Sequence, residues 1–225
     1  MLMKSGAIQG IQLIDDGSAI ICDSCEYTKT MHKPIQKERD APLVDAFGTE
    51  VHTDLWGPSP TPSLGGHKYY VTFTDDHMCY TSAKILCSKD QTLNVYKAYA
   101  AWVHTQHGAQ IKWLCSDRGG EYTGTDFMVF LQGEGTEHQL TMHNTPQHNG
   151  VAKALNCQLV ECMHVLLHQS GLPKTLWAEA LLYAVWLKNH MLTCTLGTVT
   201  PYEHFHKSKP NLAGVPEWGQ NMGAQ

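Results

Sequence analysis

Two aspartates and one lysine stand in stretches whose residue types could do chemistry. Asp54 lies in His52-Thr53-Asp54-Leu55-Trp56-Gly57-Pro58, and Asp117 in Ser116-Asp117-Arg118-Gly119-Gly120-Glu121-Tyr122. Carboxylates that converge from different elements hold hard cations such as Mg²⁺, which take oxygen ligands. Taken singly, an Asp at a strand end is an ordinary turn or cap residue. Thirty-five residues separate Asp117 from Lys153, in Gln147-His148-Asn149-Gly150-Val151-Ala152-Lys153. An ammonium there repels a cation. It favours ionised carboxylates beside it and lowers their pKa values.

These residues need strands and a helix to position them. Residues 51–56 read as a strand ended by Gly57-Pro58, and 69–74, rich in β-branched and aromatic residues, as a second. Residues 80–86, 111–116 and 137–142 read as three more. Residues 90–106 carry Leu93, Tyr96, Ala100 and Val103 at helical spacing. A short helix is expected over 126–131. Leu155, Leu159, Met163 and Leu166 mark a helix closed by Gly171-Leu172-Pro173, and 174–189 read as another. The boundaries drawn are an irregular leader over 1–49, a core over 50–212 and a truncated tail over 213–225.

Composition bounds the partners. The chain has 225 residues, of which only 16% are charged, and a formal net charge of −5. Roughly 25% charged residues is usual, and a nucleic-acid binder ordinarily carries a basic surface. Arginine occurs only as Arg39 and Arg118, whereas His occurs 14 times and Cys 8 times. No apolar run approaches the roughly 18 residues of a membrane span, and no secretory signal is evident. The scattered cysteines therefore read as free thiols in a reducing compartment.

The motifs around Asp54, Asp117 and Lys153 resemble the integrase core of Copia-type LTR retrotransposons, over about 22–211. That family carries Asp, Asp and Glu with this same gap before the Glu, and here Lys153 stands at the position of the Glu. The resemblance implies an α/β, RNase H-like fold: a five-stranded mixed sheet with flanking helices. It implies DNA integration by polynucleotidyl transfer, with Asp54 and Asp117 as Mg²⁺ (or Mn²⁺) ligands. Two such ions activate the attacking oxygen and stabilise the leaving one. DNA is the implied partner, as element ends and target. A homo-oligomer and an intracellular location, nuclear where the protein functions, are implied with it.

Single changes in CGN arginine codons give His, Gln, Cys or Trp, and a like change turns a Glu codon into Lys. Cys157, Gln158, His164 and His190 occupy positions where the resemblance leads one to look for Arg. The chain thus reads as a decayed copy, with catalysis impaired. Glu161 lies eight residues past Lys153, about 12 Å along a helix, too far to replace the missing carboxylate. Glu121 is the nearer substitute.

Other residues carry weaker signals. Arg118 beside Gly119-Gly120 is a phosphate contact or part of a simple turn. Residues 146–150 look like the family's loop before the catalytic helix, where Gln147 and Asn149 would contact DNA. As a generic Asn-Gly turn they would mean nothing. Cys22 and Cys25 form a remnant zinc half-site. No His precedes Cys22 and His32 lies on the wrong side, so bound zinc is not expected. Asp75-Asp76-His77 reads as a structural strand–turn segment. One alternative stays open, a non-catalytic nucleic-acid-binding or assembly module; a ribonuclease H-like nuclease would share the metal site, but Asn149-Gly150-Val151-Ala152 and the gap before Lys153 argue for the integrase resemblance.

Overall fold

The computed structural model describes residues 6–11, 42–140, 146–193, 195–215 and 217–219, without the side chains of residues 146–149. Five strands form one mixed sheet: β1 (Glu50–Trp56), β2 (Tyr69–Asp75), β3 (Thr81–Leu86), β4 (Trp113–Ser116) and β5 (Glu137–Leu140). Their order is β3-β2-β1-β4-β5. β1, β2 and β3 pair antiparallel, whereas β4 runs parallel to both β1 and β5. The fold expected from the sequence is the fold observed.

Alternation explains β1. Val51, Thr53 and Leu55 point to one face and Glu50, His52 and Asp54 to the other, as a period of two requires. Val51 joins the apolar core with Val71, Phe73 and Leu114. Helix α1 (Thr92–His107) adds Tyr96, Tyr99 and Val103 to it. The Phe73 and Tyr99 rings stack at 4.6 Å, and Tyr96 stacks on Phe127 at 5.3 Å. Phe127 belongs to α3 (Thr125–Glu134), which follows the single turn α2 (Gly120–Thr123). Gly57 ends β1 at φ +129°, where a Cβ would stand 2.6 Å from the Lys68 carbonyl oxygen. Only glycine fits there.

The chain divides into two compact units, Glu38–Cys157 and Met1–Lys37 with Gln158–Gln225. The first holds the sheet, α1 to α3 and the start of α4 (Pro146–Ser170). The second holds the rest of α4, α5 (Trp177–His190) and α6 (Pro201–His206). Within it, Leu181, Ala184 and Val185 are buried, and Trp186, His190 and Tyr202 form a ring stack with centroids 4.0 and 4.4 Å apart.

Residues 146–150 correct one expectation. They do not form a loop; they are the first turn of α4. Proline is tolerated at a first helical position, where its missing N–H had no partner to lose. Cys22, Cys25 and His32 lie outside the described residues, as do the side chains of Gln147 and Asn149. Among the described residues no helix is long and apolar enough to cross a membrane.

Candidate metal and nucleic-acid site

The parallel pairing of β1 with β4 sets the site. His52 pairs with Cys115 in register. Asp54 and Asp117 each follow two residues later, Asp54 within β1 beyond its pairing with β4 and Asp117 just past β4, on strands that run about 4.8 Å apart. Asp54 is 9% exposed and Asp117 half-buried. One Asp117 oxygen, Oδ1, accepts the Gly119 N–H at 2.9 Å. This bond folds the chain into the turn that starts α2.

Gly119 has a packing role. A Cβ there would stand 2.8 Å from the Glu121 carboxylate and 3.0 Å from Asp117 Oδ1. Both carboxylates therefore crowd one bare backbone carbon. Glu121 also faces Lys89, at 3.9 Å. Arg118 is exposed beside this turn.

Helix α4 reaches the site through Asn156. Its Nδ2 donates to Asp54 Oδ2 at 2.7 Å, and the bond is buried. Asn156 Oδ1 is buried with no partner. The amide orientation follows: an inverted amide would set oxygen against carboxylate. Lys153, exposed, lies one turn earlier on the same helix. Sequence reading missed Asn156. The available signal was its spacing of three from Lys153, which puts both on one helix face.

Burial sets the protonation of Asp54, and its neighbours adjust it. Burial is the largest influence and pushes its carboxyl up to about 6. The Asn156 hydrogen bond opposes that rise. Asp117 raises it, Lys153 lowers it and Glu121 raises it slightly. The fields of all three neighbours thus reach Asp54, though none of them lies on β1.

Comparison with known proteins shows what the chain is similar to. The chain is 37% identical over 182 residues to the "Retrovirus-related Pol polyprotein from transposon TNT 1-94" of Nicotiana tabacum, a match covering 80% of this chain. The chain is a relative of the integrase core of Copia-type retrotransposons. This integrase relative is also 30% identical, over 75% of its length, to the Pol polyprotein from transposon RE2 of Arabidopsis thaliana. It spans 13% of the tobacco protein and 11% of the Arabidopsis one. A chain in the structure of the simian T-cell lymphotropic virus intasome with PP2A regulatory subunit B56 gamma superimposes with a TM-score of 0.58 at 15% identity. That match covers 91% of this chain and 68% of the other, and it shows the RNase H-like fold. No family model matches.

The same sheet face of this integrase relative carries a second group that sequence reading missed. Glu50 and His52 precede Asp54 at alternate positions, and Cys115 precedes Asp117 likewise. Cys115 Sγ is 3.2 Å from Glu50 Oε1 and 3.3 Å from Gln139 Oε1. His52 Nε2 lies 3.4 Å from Glu50 Oε1 and 3.1 Å from Asp76 Oδ1. Burial, then the Glu50 and Asp76 charges, push the Cys115 thiol far up. Asp75, beside Asp76, accepts the Gly48 and Met78 N–H groups at 2.8 Å, the work of a structural turn residue.

Proposed function

We propose that this chain is an integrase-derived nucleic-acid-binding domain whose ancestral reaction is metal-dependent polynucleotidyl transfer and whose catalysis is impaired in this copy. The observation that carries the reading is the donor set at the strand ends: Asp54 and Asp117 share a field with an ammonium, Lys153. The two carboxylates are the donors that could hold one divalent ion. Asp54 Oδ1 and Asp117 Oδ2 are left to it, since Asn156 and Gly119 engage the other oxygens. They do not fit a second ion, because the third position offers a positive charge. A bound ion would polarise a phosphoryl oxygen and lower the pKa of a bound water.

The chain's own residues then divide the work. Asn156 fixes the Asp54 rotamer, so the carboxylate meets a cation already oriented. The Asp117–Gly119 bond holds the second carboxylate against the α2 turn. Lys153 neutralises part of the negative field that would draw a cation in. If the missing polarisation is worth about 4 kcal/mol, its loss costs on the order of 10³ in rate. DNA contacts fall to Arg118, Gln147 and Asn149, and nuclear action follows from DNA as substrate. The His, Cys and Gln residues at 157, 158, 164 and 190 fit a decayed copy.

A second reading is a non-catalytic DNA-binding or assembly module, and the Lys153 charge itself favours it. Calorimetric Mg²⁺ and Mn²⁺ titration of the unmodified chain and Lys153→Glu separates the two, followed by an oligonucleotide strand-transfer assay. Recovery of metal binding in the Glu variant is expected, with strand transfer lagging behind. If the unmodified chain joins DNA ends as well as the variant does, Lys153 is not a defect and the impairment is refuted.

A further inference from the structure

We infer that Glu50, His52 and Cys115 form a zinc site on the sheet, separate from the Asp54–Asp117 carboxylates, with Asp76 beside the His52 ring. The three residues each offer one ligand atom, and these atoms lie within 4.8 Å of one another. The donor types are those zinc takes: a thiolate sulfur, an imidazole nitrogen and carboxylate oxygens. Around a tetrahedral zinc with bonds of roughly 2.0–2.3 Å, ligand atoms stand roughly 3.3–3.7 Å apart. Within the cluster, the Nε2–Oε1 and Sγ–Oε1 separations are 3.4 and 3.2 Å. A small inward or outward adjustment is all that a metal would require.

The hydrogen-bond inventory points the same way. Cys115 has one proton and two oxygens within reach, Glu50 Oε1 and Gln139 Oε1. His52 Nε2 likewise has two carboxylate oxygens and at most one proton. The cluster gathers several acceptors around few donors, an arrangement a cation could occupy. His52 is the independent sign. Its side chain is 5% exposed, and its Nδ1 is buried without a partner. A metal bound at Nε2 would take the lone pair that faces the cluster and leave the ring proton on Nδ1. Glu50, 18% exposed, is the way in from solvent. On binding, the Cys115 thiol releases its proton to water and sulfur bonds the metal. The ion would tie β1 to β4, the strands from which Asp54 and Asp117 project.

Cobalt(II) titration tests this in the full chain carrying Cys22→Ser and Cys25→Ser, which removes the other thiol pair. A thiolate-to-cobalt charge-transfer band should saturate at one equivalent and be displaced by zinc. The carboxylates of Asp54 and Asp117 cannot produce it, since it requires sulfur. Cys115→Ser should abolish the band. Glu50→Gln should keep it while weakening cobalt at least about tenfold, in line with lost ligands elsewhere. Alkylation of the unmodified chain, mapped by mass spectrometry, needs no variant at 115: zinc should slow labelling of Cys115, and a chelator should restore it. No band at one equivalent, a band that survives Cys115→Ser, or zinc-independent labelling of Cys115 would each overturn the site. The thiol would then be only a hydrogen-bond donor to Glu50.

Discussion

Asp54 is a charge held where water is scarce, and that has a thermodynamic sign. Its carboxyl is raised from 3.8 to about 6. Below pH 3.8 it is protonated in folded and unfolded chains alike. Between 3.8 and about 6 the folded chain binds more protons, so stability falls as pH rises; above 6 the whole penalty is present. The shift corresponds to about 3 kcal/mol. Asp54→Asn should therefore stabilise the metal-free chain by about 1–3 kcal/mol at pH 7, and by much less at pH 4. Urea denaturation at the two pH values reads it, and a destabilised Asn variant at pH 7 would contradict the burial argument. Asn156→Ala acts oppositely. It removes a buried donor to a charged oxygen, which should cost about 1.5–3 kcal/mol at pH 7. It should also move the Asp54 titration above 6. Carbon-detected NMR of the carboxyl follows that midpoint directly.

At the scale of elements, the strands were legible because one face of each is buried. Val51 and Leu55, or Val71 and Phe73, write that face into the chain as alternation. Helix α1 was legible for the matching reason, with Tyr96 and Val103 two turns apart on its buried side. The start of α4 was not, because Asn149-Gly150 has the local chemistry of a turn and the helix overrides it. Contacts between distant elements were illegible for a deeper reason. Asn156 meets Asp54 across 102 residues, and Cys115 meets Glu50 across 65; no local pattern encodes either. The positions of Asp54, Asp117 and Lys153 came from motif resemblance, not from periodicity. The end of β1 offers an element-scale test. Gly57 has φ +129°, with the Lys68 oxygen and Tyr69 Cδ1 each 2.6 Å from any added Cβ. Gly57→Ala should cost about 2 kcal/mol or more, because the φ is strained for any other residue and the Lys68 carbonyl is backbone that cannot yield cheaply. Chemical denaturation checks this, and a neutral result would mean the turn re-forms without the strain.

At the scale of the whole chain, the charge balance opposes the substrate that the family resemblance implies. Sixteen Lys and Arg face 21 Asp and Glu. Phosphate binding draws its affinity from cation clusters and counterion release, so few cations mean weak binding. Histidine changes this with pH. Full protonation of the 14 histidines would reverse the sign of the net charge. Burial lowers the pKa of His138, His164 and His190, so these resist charging and the others must supply the gain. Duplex DNA should accordingly bind this chain with a Kd no tighter than about 1 μM near neutral pH at physiological salt, the range of non-specific association. Affinity should rise as pH falls through roughly 6.5. The dependence of log K on log salt should also steepen there, because each newly charged imidazole that meets a phosphate releases a counterion. Fluorescence anisotropy of a labelled duplex, titrated at two pH values and several salt concentrations, measures both quantities. Nanomolar, pH-insensitive binding at physiological salt would mean that the lysines cluster tightly enough to outweigh the acidic excess, and the charge argument would fail.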